Sequence, residues 1–110
     1  TKMKMIFAIV RPKNVYEVNN ALAEAGFAAS SKWTVTGRGR QQGIQVGEVV
    51  YEEMTKNLLM IAADDEDKNE IIDIIMDAAQ TGETGNSGDG KIFVLPIEES
   101  YTISSQSKDD

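Results

Sequence analysis

Three glycines and a lysine fall close together in Gly85-Asn86-Ser87-Gly88-Asp89-Gly90-Lys91, directly ahead of the apolar run Ile92-Phe93-Val94-Leu95. These residue types suit anion chemistry. Glycines let backbone N–H groups converge on a phosphate or carboxylate, and a neighbouring lysine adds a mobile positive charge. The spacing meets the first part of a P-loop pattern, glycine, four residues, then Gly-Lys. The rest of that pattern is missing. Ile92 stands where a Ser or Thr would hold magnesium, and a strand-forming run follows where a helix would begin. The segment therefore reads as a phosphate-type loop of another kind.

A second glycine-punctuated segment, Gly37-Arg38-Gly39-Arg40-Gln41-Gln42-Gly43, places two arginines in a chain of formal charge −7. The guanidinium fork matches phosphate and carboxylate geometry. The spacing is not the dinucleotide fingerprint, since the third glycine comes one place late and no helix follows. On residue content alone, each loop could equally turn a corner with its charges in water. Lys56, between Glu53 and an apolar strand, could face a ligand or simply be solvated.

Other chemistry is excluded or unmarked. The chain has no cysteine and no histidine, which removes thiolate and imidazole catalysis, disulfides and zinc sites of the usual type. The acidic run Asp64-Asp65-Glu66-Asp67 is better explained by a helix N-terminus than by a metal, because hard cations need carboxylates converging from several directions. No intrinsic metal site and no enzyme activity are expected. The negative charge argues against nucleic acid and acidic membranes. No apolar run approaches the roughly 20 residues that span a bilayer, so no membrane insertion is expected and the expected setting is the cytoplasm.

With 110 residues, 41% of them hydrophobic, one domain with a single modest core is expected. Lys4 to Arg11 reads as a strand stopped by Pro12. Lys13 to Ala25 reads as a helix with Val15, Val18, Leu22 and Ala25 on one face and Gly26 as its cap. Strand patterns follow at Ser31–Thr36, Val46–Tyr51 and Asn57–Ala63. The second helix carries the stripe Ile71, Ile74, Ile75, Ala78 and Ala79, with Asp67 and Glu70 spaced as a capping box. Lys91 to Ile97 closes the pattern, and 104–110 reads as a flexible acidic tail. Tyr16, Tyr51, Tyr101 and Trp33 are read as packing residues. The order β-α-β-β-α-β gives an α+β, ferredoxin-like fold: two helices on one face of a four-stranded antiparallel sheet. An acylphosphatase or an RNA-binding sheet shares that order. The first would need its arginine in a different loop, and the second needs central-strand aromatics and a basic face.

The segments KMIFAIVRP, ALAEAGF, TGRGRQQG, VGEVVYEEMTK, AAQTG and GDGKIFVLPIE resemble, in that order, the PII family of signal-transduction proteins over 3–103. The resemblance implies a homotrimer with nucleotide sites in the clefts between subunits. It also implies a mobile loop, here about 38–55, that engages a target enzyme or transporter. Gly88, Asp89, Gly90 and Lys91, within the loop 82–90 and just after it, would hold phosphate and ribose. Gly39 and Arg40 would contact phosphates, Gln41 would reach magnesium, and Lys56 would meet 2-oxoglutarate. Ile9 and Ser31 would line the adenine pocket.

The chain departs from the family pattern in three places. Its mobile loop is shorter, with Val49 and Gly47 where other members carry modified residues. Gly85-Asn86-Ser87 lengthens the phosphate loop. Thr102 and Ser104 stand where the family carries arginines that reach a neighbour's nucleotide. Each charge-assisted hydrogen bond contributes roughly 1.5–3 kcal/mol, so ATP or ADP binding is expected to be weak or altered. The leading expectation is a PII-like regulator diverged at its nucleotide cleft and serving a specialised pathway, such as a bacterial microcompartment. The alternative is a nucleotide- and 2-oxoglutarate-sensing regulator of the nitrogenase-associated branch.

Overall fold

A computed structural model describes residues 2–27, 31–36, 44–46, 49–51, 55–86 and 88–109; for 31–36, 44–46, 49–51 and Thr55 it describes the backbone alone. Strand β1 (Met3–Val10) leads through a 3-10 turn (Pro12–Asn14) into helix α1 (Val15–Glu24). Then come β2 (Ser31–Thr36), β3 (Ile44–Val46), β4 (Val49–Tyr51) and β5 (Thr55–Asp64). Helix α2 (Lys68–Ala79), β6 (Gly90–Ile97), β7 (Tyr101–Thr102) and β8 (Ser107–Lys108) complete the order. The main sheet runs β2-β5-β1-β6, antiparallel throughout. This is the ferredoxin-like arrangement expected from the element order.

The strand MKMIFAIV is apolar almost throughout because it lies at the centre of the sheet with β5 on one side and β6 on the other. Ile6, Ala8 and Val10 point toward the helices and join Leu59 and Ile61 of β5, together with Leu22 of α1 and Ile75 of α2. Fully burying side chains of the Leu22 or Ile75 kind stabilises a fold by about 1.5–3 kcal/mol each. By strand alternation Met5, Phe7, Met60, Phe93 and Leu95 lie on the opposite face and stay half-exposed.

Pro12 sets the first turn after β1, where its missing N–H costs nothing. Helix α1 ends in a Schellman motif: Gly26 adopts φ +93 and donates to the Ala23 carbonyl at 3.0 Å, while Phe27 donates to Leu22 at 2.8 Å. Phe27 then packs against the core. The buried Asn14 ties the two helices together, its Nδ2 donating to the carbonyl of Ala79 at 3.0 Å. That carbonyl lies in the last turn of α2 and has no partner within the helix.

Several sequence expectations are corrected. Val46–Tyr51 is not one strand: Ile44–Val46 and Val49–Tyr51 pair as a hairpin, Val46 opposite Val49. Asp67 does not cap α2 with its side chain. It is already in right-handed helical conformation, closing a backbone turn onto Asp64, whereas a capping side chain needs an extended backbone. Ala25 is exposed, as the helix ends before its face comes round. Tyr16 and Tyr101 are exposed rather than packed; the side chains of Trp33 and Tyr51 lie outside the described residues. The segment from Ser104, expected as a flexible tail, folds back as a small hairpin. Asp109 organises it, accepting from the hydroxyls of Ser100 at 2.8 Å and Thr102 at 2.7 Å.

The Asn14 bridge makes a direct prediction. Asn14→Ala should lower stability by about 1–3 kcal/mol in urea denaturation, because a buried carbonyl is left without its donor. An unchanged midpoint would show that the bridge contributes nothing.

Candidate functional site

The β1–β6 register sets the site. Val10 pairs with Gly90 and Ile9 with Lys91. Gly90 has φ +130, and a Cβ there would run into the carbonyl oxygen of Ile9. Glycine alone allows this approach, which brings the loop after α2 against the end of β1.

Just before Gly90, the Asp89 carboxylate gathers the loop around itself. It accepts from the Thr81 hydroxyl at 2.5 Å, the Thr81 N–H at 3.0 Å and the Asn86 N–H at 2.9 Å. Arg11, the first residue past β1, adds its Nε–H at 3.3 Å. These donors hold the Asp89 carboxyl well below the ordinary carboxylate value, the Thr81 hydroxyl contributing most, then the Thr81 and Asn86 N–H groups; partial burial opposes them. The guanidinium of Arg11 packs on Gly88, where a Cβ would come within 2.5 Å of Nη2.

On its carbonyl side Gly88 accepts from Nζ of Lys56. Lys56 is only 4% exposed, so its ammonium is withdrawn from bulk water. Lys91 is exposed one position beyond Gly90. A cleft of about 610 Å³ runs between α2 and β6, with Ile9, Asp89, Gly90 and Lys91 at one end and Ile72 and Met76 along its wall. Ile9 is fully buried yet stands outside the main core cluster.

Of the residues singled out in the sequence, Ile9, Asp89, Gly90 and Lys91 border one cleft, and Lys56 reaches the same loop through Gly88. Ser31 is placed elsewhere. It lies on β2, opposite Met60, at the far edge of the sheet from β6. Gly39, Arg40 and Gln41 lie outside the described residues. Sequence reasoning passed over Arg11, Thr81 and Asn86. For Arg11 the only signal was its place between a central strand and Pro12. Among the described residues no group of three or more carboxylates is placed to hold a metal ion, and no helix is long and apolar enough to cross a membrane.

The family model for nitrogen regulatory protein P-II matches residues 3–107. The chain belongs to that family. A nitrogen fixation nifHD2 region GlnB-like protein 1 of Methanosarcina barkeri is 51% identical over 106 residues, covering 96% of this chain and 98% of the relative. A nitrogen regulatory protein P-II 2 of Methanothermobacter thermautotrophicus is 39% identical over 105 residues, covering 92% of this chain and 89% of the relative. Among solved structures, Arabidopsis thaliana PII bound to citrate superimposes with a TM-score of 0.75 at 27% identity, covering 100% of this chain and 88% of that one. P-II family proteins are regulators, and the ferredoxin-like fold is that of the solved relative.

The carboxylate at the centre of the loop makes its order depend on pH in a defined direction. Because the folded-state pKa of Asp89 lies below its ordinary value of 3.8, its contribution is complete above that value and disappears only as pH falls through the depressed one. The Thr81 and Asn86 amide resonances should therefore hold constant from neutral pH to about pH 4 and move only below it. Movement of those signals near pH 6 would contradict this assignment.

Proposed function

We propose that the chain is a P-II regulator of the nitrogenase-linked branch, sensing an anionic effector around Gly88–Lys91 and signalling to a partner protein through loop 38–55. One observation carries the reading. In a chain of charge −7, Lys56, Arg11 and Lys91 all stand at one glycine loop. Such a gathering of cations suits a phosphate or dicarboxylate ligand. An adenine nucleotide, with 2-oxoglutarate and magnesium reached through Lys56 and Gln41, is the effector proposed, and the role is regulatory rather than catalytic. The nifHD-region names of the relatives favour the nitrogen-fixation branch over a microcompartment role.

The sheet supports an assembly in which the cleft is shared. Ser31 on β2 and Lys91 on β6 lie at opposite edges, three strand spacings or about 14 Å apart. The adenine contact expected of Ser31 and the phosphate contact expected of Lys91 therefore have to be brought together on one nucleotide. A homotrimer that sets the β2 edge of one copy beside the β6 edge of the next would do so. It would also cover the half-exposed face carrying Phe7, Met60 and Phe93.

Thr102 has no charge to offer a phosphate, and its hydroxyl is donated to Asp109. Titration calorimetry of the purified assembly with ATP, ADP and AMP, with and without 2-oxoglutarate and magnesium, tests the proposal, with sedimentation reporting the copy number. ATP should bind, and Thr102→Arg or Ser104→Arg should tighten it at least about tenfold each, the scale of one charge-assisted hydrogen bond. No binding of any nucleotide, or a monomer at working concentration, would overturn it.

A further inference from the structure

We infer that Asp89 is a positioning residue: its carboxylate folds the loop between α2 and β6 into a ligand-receiving shape before any ligand arrives, using a donor from the lengthened part of that loop. A carboxylate offers about four acceptor sites, and the structure fills all of them from within the chain. One oxygen takes the Thr81 hydroxyl and Arg11 Nε, the other the Thr81 and Asn86 N–H groups. Nothing is left over for a ligand hydroxyl unless one of these contacts breaks.

The inserted Gly85-Asn86 is part of this latch rather than an appendage. Asn86 supplies its N–H to Asp89, and its Nδ2 donates to the Thr81 hydroxyl oxygen at 2.6 Å, closing a ring of Thr81, Asn86 and Asp89. Gly85, at φ +79, lies against Gln80, whose Nε2 would be 2.9 Å from a Cβ there. The loop is held at one end by Arg11 of the β1 exit and at the other by the α2 exit. With its acceptor sites filled from within the chain, the Asp89 carboxylate is held in place at the cleft, and Lys91 stays exposed beside it. Preorganisation of this kind raises affinity by removing the ordering cost from the binding step.

The inference rests on the cleft's proposed anion-binding role, and its test separates the two. Amide hydrogen exchange at Thr81 and Asn86 is measured on the ligand-free wild type, Asp89→Asn and Thr81→Val, and each protein is then titrated with ATP. Asp89→Asn turns one acceptor oxygen into a donor facing N–H groups, so exchange at Thr81 and Asn86 should rise at least about tenfold, with ATP weakened to a similar degree. Thr81→Val, which removes only the hydroxyl, should speed exchange at Asn86 by a smaller factor and serves if Asp89→Asn does not fold. Unchanged exchange in both variants would overturn the latch. Weaker ATP binding with unchanged exchange would make Asp89 a ligand contact instead. If wild-type protein binds no ATP, the functional reading fails by itself, while the exchange rates still decide the latch.

Discussion

The contact between Gly90 and the carbonyl of Ile9 is the constraint from which the site follows. Any side chain at Gly90 would collide with that carbonyl. The β1–β6 register would then have to slip, and a slip of one residue reverses which face every side chain presents. With the register held, Lys91 pairs with Ile9, Asp89 comes opposite Arg11, and Gly88 falls between Arg11 and Lys56. Three segments distant in sequence are thereby brought to one loop.

The rest of the fold supports this geometry from beneath. The loop departs from the end of α2, and that end is held by Asn14 from the turn that follows β1. Arg11 and Asn14 belong to one short connection, so the strand exit that pairs with Asp89 also anchors the helix preceding the loop. The site is framed by a packed sheet and helix rather than by loops alone, the arrangement that holds a binding constellation most accurately. A lengthened loop on such a frame can stay ordered by satisfying its own polar groups, as the Thr81–Asn86–Asp89 ring does.

Local pattern made the core and the element types legible. The apolar run of β1 and the Ile71-Ile75-Ala79 stripe of α2 appear in the structure where periodicity places them. Gly26 was legible as a cap because only a positive φ explains glycine at that spacing. What stayed hidden depended on partners far along the chain. Arg11 and Asp89 are 78 positions apart, and no local rule pairs them. The Val46–Tyr51 run is interrupted because the pairing partner of Val49 is Val46 itself, a choice that β-propensity cannot anticipate. The Asp67 cap failed for a conformational reason, its backbone being already helical. The GDGK segment drew attention to this loop, but Asp89 turns its carboxylate inward, a direction that residue identity does not encode.

A crystal structure of the assembly with ATP and magnesium tests the central claim most directly. The account predicts phosphates over the Gly88–Lys91 backbone with Lys91 alongside, and an Asp89 carboxylate still engaged by Thr81, Asn86 and Arg11. ATP bound away from this loop, or an Asp89 swung out of its ring to meet the nucleotide, would contradict it.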